Sequence, residues 1–518
     1  MTMKKTVCFL LLFSMFSCSD LLEKEPYNMY ENDVILTTEG MDLLLTGAYS
    51  VMAGSGYYGA LLYLYEAAKG PEFFVRNVSG GYSFYTENNY GETSTTNGNA
   101  RTLWQTIYLA VRNLTILIEN IDDVRGDMEQ LRRIKGEAYL LRGLCYFDLM
   151  RLFAYPPRFS IPEHASYNDR YIWGVPIINT VEKGTNIFNH EVGRETAEAT
   201  YAFIIDQFTR AELLLDGRTV LQGHANAATA KALLIRAYLY LENWDKVIEE
   251  GEAWIAKYGS KYAMIPYESY PTTYYKPFNT ESIWEFGYSV SDNLRSNSLN
   301  YWVRRPTWNE PGEERDGTPS DNLGYSKLGL TFGETSGTTR GYEFLINYPT
   351  DVRQYLICDM GLNNHPEYMT IRRYVGDPYH FVHNIPVVRL PEIYLSLAEA
   401  YANTNDMGEA TVYTTLVSLP RRLATASITS TTNVLNERRR EFILEGHTYW
   451  DYFRTARNLS GRQIIESNTR ATVTFGSTAS PHYRAVYPIP LSELNANPVL
   501  RNQQNQGYPA WVPSVEED

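Results

Sequence analysis

Residues Ala228–Lys257 read ATAKALLIRAYLYLENWDKVIEEGEAWIAK, and the fold is decided by how this stretch is read. Helical patterning runs through small residues, Ala232 and Ala237, that let a partner helix approach closely. It breaks at Glu242-Asn243 and restarts at Trp244, which predicts two helices folded back as a hairpin. Pro391–Leu416, PEIYLSLAEAYANTNDMGEATVYTTL, repeats the design. There Ala400-Tyr401 falls where Ala237-Tyr238 falls, and Glu409-Ala410 falls where Lys246-Val247 falls. A third segment, Gln130–Tyr155, places Leu131, Ile134, Ala138, Leu141, Cys145, Leu149 and Leu152 at steps of three and four. That spacing predicts an amphipathic helix with one apolar stripe, stopped by Pro156-Pro157.

The two hairpins look like tetratricopeptide repeats, although antiparallel helix pairs of generic amphipathicity would leave a similar pattern. The expected fold is mostly α: a tetratricopeptide-like helical scaffold with long irregular loop insertions and a few short strands. The insertions are residues 54–101 and 259–384, rich in Gly, Pro, Asn, Ser and aromatic residues. Loops laid over a rigid frame are where binding residues collect. β-Forming residues cluster at Ser282–Val290, Ala471–Phe475 and Ala485–Ile489, which are read as strands.

The N-terminus has its own logic. Lys4-Lys5, the apolar run Val7–Phe16 and Ser17-Cys18 make a signal peptide over residues 1–17, too short to span a bilayer. A cysteine at the cleavage point predicts lipidation of Cys18, with residues 18–40 as anchor and tether and 41–518 as the body. Met15 and Phe16 depart from the usual lipobox. Acyl chains would then hold the protein at a membrane without a spanning helix. Only Cys145 and Cys358 remain in the body, enough for one disulfide or for two separately buried thiols.

A formal charge of −14 argues against nucleic acid, which needs a basic footprint, and against docking on anionic lipid. Gly54-Ser-Gly-Tyr-Tyr-Gly59 fits a dinucleotide fingerprint by letter, but a helical pattern precedes it and no βαβ unit follows, so a turn is expected. His190-Glu191 lacks a second histidine, since position 194 is Arg; His380 and His383 lack a third ligand. No catalytic residue, cofactor or metal is expected, and a structural Ca²⁺ is left open. Glu437-Arg-Arg-Arg-Glu441 is read as the start of a helix through Glu445, Trp450, Asp451 and Arg454, its charges forming an ion-pair network.

Aromatic residues are abundant, with 42 Tyr, 20 Phe and 9 Trp, and they cluster in the loops. Tyr82, Tyr85 and Tyr90 interleave with Asn88; Tyr274, Tyr275, Trp302 and Trp308 flank Asp292, Arg295 and Asn297. Sugar CH faces stack on rings, and sugar hydroxyls pair with amides, carboxylates and guanidinium groups. These residues are the candidate glycan contacts, the alternative being that the rings pin loops to the scaffold.

Five ordered blocks carry a resemblance. They are Cys18–Pro26, Glu137–Phe153, Pro386–Ala400, the pair Glu437–Phe442 and Glu445–Asp451, and Tyr487–Pro498. Together they resemble the SusD/RagB family of outer-membrane lipoproteins over nearly the whole chain. The resemblance implies a binder and not an enzyme. It implies a lipid-anchored, surface-exposed protein at the outer membrane that captures oligo- or polysaccharide and passes it to a TonB-dependent, SusC-like β-barrel transporter. The family's glycan sites are aromatic arcs on variable loops, so no position transfers. Pro391 inside the helix start departs from the family pattern and is placed in the first turn. The acidic surface favours a neutral or weakly charged glycan. The rivals are a transporter-associated interaction subunit taking peptide or another non-glycan nutrient, and a surface glycosidase.

Overall fold

A computed structural model describes residues 36–71, 73–74, 84–92, 97–178, 180, 192–299, 331–332, 350–359, 369–371, 382–423, 427–464, 469–475 and 482–512. The expected signal peptide, Cys18 and residues 18–35 of the tether lie outside the described residues. Helices of six or more residues are α1 (Thr38–Ala53), α2 (Leu61–Lys69), α3 (Gly98–Asn120), α4 (Met128–Phe153), α5 (Ala197–Leu215) and α6 (Ala227–Tyr240). The series continues with α7 (Trp244–Tyr258), α8 (Leu390–Asn403), α9 (Met407–Ser418), α10 (Thr431–Glu441), α11 (Thr448–Arg454) and α12 (Leu491–Ala496).

Both predicted hairpins form, and their turns match residue for residue. Asn243 caps α7 by accepting from the Lys246 N–H, and Asp406 caps α9 by accepting from the Glu409 N–H. The residues before the caps, Glu242 and Asn405, are left-handed, with φ of 54° and 66°. Each turn closes with the same backbone bond: the Asn243 N–H to the Tyr238 carbonyl at 3.0 Å, and the Asp406 N–H to the Tyr401 carbonyl at 2.8 Å. The two hairpins stack through α7 and α8. A Cβ on Gly251 would lie 2.7 Å from Leu397 Cδ2, so glycine sets how closely these helices approach. Pro391 sits in the first turn of α8.

The helix α4 departs from the single stripe expected of it. Every residue from Gly136 to Phe153 is buried, because α1, α3 and α5 enclose it. Its charged side chains are tolerated through hydrogen-bonded partners. Asp148 accepts from the Tyr57 and Tyr58 hydroxyls at 2.5 and 2.7 Å and pairs with Arg151; Arg142 Nε donates to Gln207 at 2.9 Å. Cys145 is a free, buried thiol, its pKa pushed up by burial.

Three further expectations change. Residues 54–101 are less loop-like than their composition suggests, since they contain α2 and a helical turn at Tyr85–Asn88. Within them Gly54–Gly59 is a tight turn, as expected. A Cβ on Gly59 would stand 2.5 Å from the Ala53 carbonyl oxygen and 2.4 Å from Leu294 Cδ1. The helix opened by Thr431 ends at Glu441 and does not run on to Arg454. Leu444 (φ 57°) and Gly446 (φ 74°) turn the chain before α11 restarts it.

The strands are short antiparallel pairs. Ser282–Phe286 pairs with Ile385–Arg389 in a register of Ser282 to Arg389 and Phe286 to Ile385; Leu459–Ile464 pairs with Thr469–Val473. Residues Ala485–Ile489, read as a strand, form none. The Tyr487 N–H instead bonds the Leu152 carbonyl at 2.8 Å, tying this segment to the end of α4.

Candidate functional site

The signature helix α10 anchors one side of the molecule through buried charge. Arg353 reaches Asp351, Glu437 and Glu441 at 2.7, 2.8 and 3.2 Å. Arg389 reaches Glu281, Glu441 and Glu445 at 2.8, 3.0 and 2.8 Å. Arg421 reaches Glu281 and Glu441 at 2.8 and 3.0 Å. Glu441 is thus shared by three guanidinium groups. Burial alone would raise its pKa, but Arg421, Arg389 and Arg353 outweigh burial and hold it far below the usual carboxylate range. The expected ion-pair network is present, but most of its partners come from distant segments and not from neighbours on one helix face.

This network supports an aromatic segment. Arg421 lies under the Tyr270 ring with its guanidinium carbon 4.3 Å from the centroid. Tyr270 stacks on Tyr274 at 5.2 Å and 19°, and Tyr275 meets Tyr274 edge-on at 5.4 Å. Exposure rises along the run: Tyr270 is 1% exposed, Tyr275 36% and Phe278 38%. The rings therefore grade from core to surface. Tyr270, Tyr274 and Tyr275, together with Lys276 and Asn279, line one part of a recess of about 490 Å³, solvent at its mouth included. The strand pair and its flanks supply the other wall, which includes Glu281, Glu285, Asn384 and Arg389.

The acids of that wall are engaged internally. Glu281 accepts from the Ile265 N–H at 2.7 Å as well as from Arg389 and Arg421. Glu285 accepts from the Phe278 N–H at 2.5 Å, Asn384 Nδ2 at 2.6 Å and Ser282 Oγ at 2.9 Å. Burial raises the Glu285 pKa against those hydrogen bonds. Phe278 is itself left-handed at φ 52°, so the Glu285 carboxylate pins the end of the aromatic segment in a strained conformation.

Of the residues predicted from sequence, Tyr274 and Tyr275 come together at this recess. Asp292, Arg295 and Asn297 are exposed on the segment that follows Tyr288. Tyr288 stacks with His383 at 6.3 Å, and its hydroxyl donates to the Ala53 carbonyl at 2.5 Å. Tyr85 is half-buried. Asn88 and Tyr90 are corrected, being 1% and 0% exposed. Asn88 donates to the Ala68 carbonyl at 2.7 Å and the Tyr90 hydroxyl to the Lys69 carbonyl at 3.0 Å. Lys69 also lies 3.9 Å over the Tyr90 ring and pairs with Glu92, which burial raises to about 7. These two residues fasten their loop to α2 and present nothing to a ligand. Tyr82, Trp302 and Trp308 lie outside the described residues.

Sequence reasoning missed Tyr270 and Lys276 at this recess. The signal was available in Tyr267–Phe278, YESYPTTYYKPF, whose rings recur at steps of three and four between prolines.

Fold and recess together define a helical-repeat scaffold with a surface site built on an inserted aromatic segment. Residues 20–239 match the family described as "Starch-binding associating with outer membrane", and residues 374–508 match the SusD family. SusD-like protein P25 of Formosa agariphila is 22% identical over 96% of this chain and 98% of its own length. A SusD superfamily protein of Bacteroides thetaiotaomicron, solved as a crystal structure, superposes with a TM-score of 0.75 at 25% identity. That match covers 90% of this chain and 99% of the other. Surface glycan-binding protein A from Bacteroides uniformis shares the fold, with a TM-score of 0.66 at 19% identity over 90% and 99% of the two chains. The chain belongs to the SusD/RagB family. Among the described residues no helix is long and apolar enough to cross a membrane.

Proposed function

We propose that this protein is a lipid-anchored glycan-binding protein of the outer-membrane surface that captures oligo- or polysaccharide and delivers it to a TonB-dependent, SusC-like transporter. The observation that carries the reading is the graded aromatic run from buried Tyr270 to exposed Tyr275 along the recess. Rings fixed by stacking and by a buried arginine lose little freedom when a sugar settles on them, which favours binding. Capture without hydrolysis is supported by the state of Glu281 and Glu285. Both carboxylates are held by internal donors, whereas glycosidase acids must reach the scissile bond. The names of the similar proteins point the same way. Trp302 and Trp308 are proposed as further glycan contacts.

Residues 19–518 and Tyr275→Ala, run through native gels cast with a panel of plant, microbial and host polysaccharides, test this reading. Retardation by a polysaccharide that weakens about tenfold in the variant is the expected result. Retardation equal in both proteins would move the site away from the recess. No retardation across the panel would overturn glycan capture.

One observation favours an interaction subunit as a second reading. Val412, Leu416 and Leu419 are 51%, 41% and 65% exposed and recur at steps of four and three along α9 and its end. An exposed apolar stripe of this kind is a surface for another protein.

A further inference from the structure

The recess carries an exposed ammonium on a chain whose formal charge is −14. Lys276 lies on its wall, is exposed, and has no carboxylate partner among the described residues. It directly follows Tyr275, the most exposed tyrosine of the run. Outside the recess, at the start of the aromatic run, Arg422, left-handed at φ 61° and exposed, lies 4.1 Å over the Tyr267 ring. Glu268 faces that end, its carboxyl held low by the Tyr267 hydroxyl and by Arg422, so the Arg422 charge is partly offset. Among the described residues no acid that lines the recess forms an ion pair with Lys276. Glu281 is paired with Arg389 and Arg421, while Glu285 is buried and held in place by neutral donors from Phe278, Asn384 and Ser282. A ligand entering here meets ring faces and an ammonium that, among the described residues, no carboxylate pairs.

We infer that the recess takes a glycan carrying an isolated carboxylate sugar, a uronate beside neutral residues, with Tyr275 stacking the sugar face and Lys276 pairing with the carboxylate. This rests on the glycan-binding reading above and deepens it. Two opposed fields set the density of charge on the ligand. The net negative surface repels a polyanion at distances up to the Debye length, while Lys276 attracts one carboxylate at contact. Sparse acidity satisfies both. A neutral glycan would leave the ammonium unused, and a densely sulfated one would have to cross an adverse potential.

The test sets residues 19–518 against glucuronoxylan, gum arabic and partly esterified pectin, each beside its carboxyl-reduced form. Dextran and lightly sulfated dextran form a separate arm. At least one native acidic glycan should bind, and carboxyl reduction should weaken it about tenfold. Lys276→Gln should bind the acidic form as weakly as wild type binds the reduced form, and should bind the reduced form as wild type does. Lys276→Arg should retain the preference, and added salt should erode it. Equal binding of native and reduced forms, or an unaltered preference in Lys276→Gln, would overturn the inference and leave glycan capture standing. Binding of sulfated dextran with none of the carboxylated glycans would overturn it in favour of a sulfate ligand. Failure of every acidic and neutral form alike would overturn glycan capture itself.

Discussion

The same three residue types, arginine, glutamate and tyrosine, build two adjoining regions that behave in opposite ways. Around α10 the charges of Arg353, Arg389, Arg421, Glu281, Glu437 and Glu441 are buried, and each group meets a partner. Along Tyr270–Phe278 the rings start in that network and end in solvent. The first region is closed to any ligand because its hydrogen-bonding capacity is used internally. The second is open because its geometry is fixed from behind while its outer faces remain unoccupied. Function follows from where satisfaction stops along a continuous structure, and residue type alone does not mark that point.

Breaking the closed region should give the largest effect. Glu441→Ala leaves Arg353, Arg389 and Arg421 buried around a missing carboxylate, and uncompensated buried charge costs about 3–5 kcal/mol. Chemical denaturation should register that loss. The folded-state pKa of Glu441 lies below its unfolded value of roughly 4.3. Its contribution to stability is therefore complete above that value and declines as pH falls towards the folded pKa. Wild-type stability should begin to fall below roughly pH 4, and Glu441→Ala should show a shallower slope there. Equal slopes in the two proteins would mean that Glu441 does not titrate as the network requires.

A second break targets the join between α1 and the exposed segment that carries Arg295 and Asn297. Gly59→Ala places a methyl against the Ala53 carbonyl and the Leu294 side chain, and the Leu299 N–H bonds the Gly59 carbonyl at 3.0 Å. Overpacking against backbone costs about 1–3 kcal/mol. Stability by denaturation should fall by that amount. Glycan retardation by the folded fraction should persist if Tyr274 and Tyr275 carry the site, and should vanish if Arg295 and Asn297 carry it.

The helical repeats were legible in the sequence because their signal is local. Alanine spacing, the polar caps Asn243 and Asp406 and the matched turns all lie within a few residues of one another. The full burial of α4 was not legible, since Arg142, Asp148 and Arg151 look like a solvent face until Gln207, Tyr57 and Tyr58 arrive from distant segments. The same limit divides the candidate site. Tyr90 and Tyr275 sit in similar aromatic, Asn-containing surroundings, yet one is 0% and the other 36% exposed. What separates them is long-range: Tyr90 lies against Lys69 and Arg484, whereas Tyr275 meets its chain neighbour Tyr274 edge-on.

That pair of tyrosines gives the smallest effects and the sharpest contrast. Tyr90→Phe removes one buried hydroxyl, leaves the Lys69 carbonyl without that 3.0 Å hydrogen bond, and should cost about 1 kcal/mol of stability. It should leave glycan retardation unchanged, because the ring and its outward neighbours are unaltered. Tyr275→Ala should do the reverse: a stability change within about 0.5 kcal/mol, as for an ordinary surface position, with the loss confined to binding. Denaturation and affinity gels on the two variants read both axes at once. A binding loss in Tyr90→Phe would return the Lys69 side of the molecule to the ligand surface. A stability loss in Tyr275→Ala comparable to that of Tyr90→Phe would mean that the outer ring is also a structural pin, and that the open region begins further along the chain, at Lys276 and Phe278.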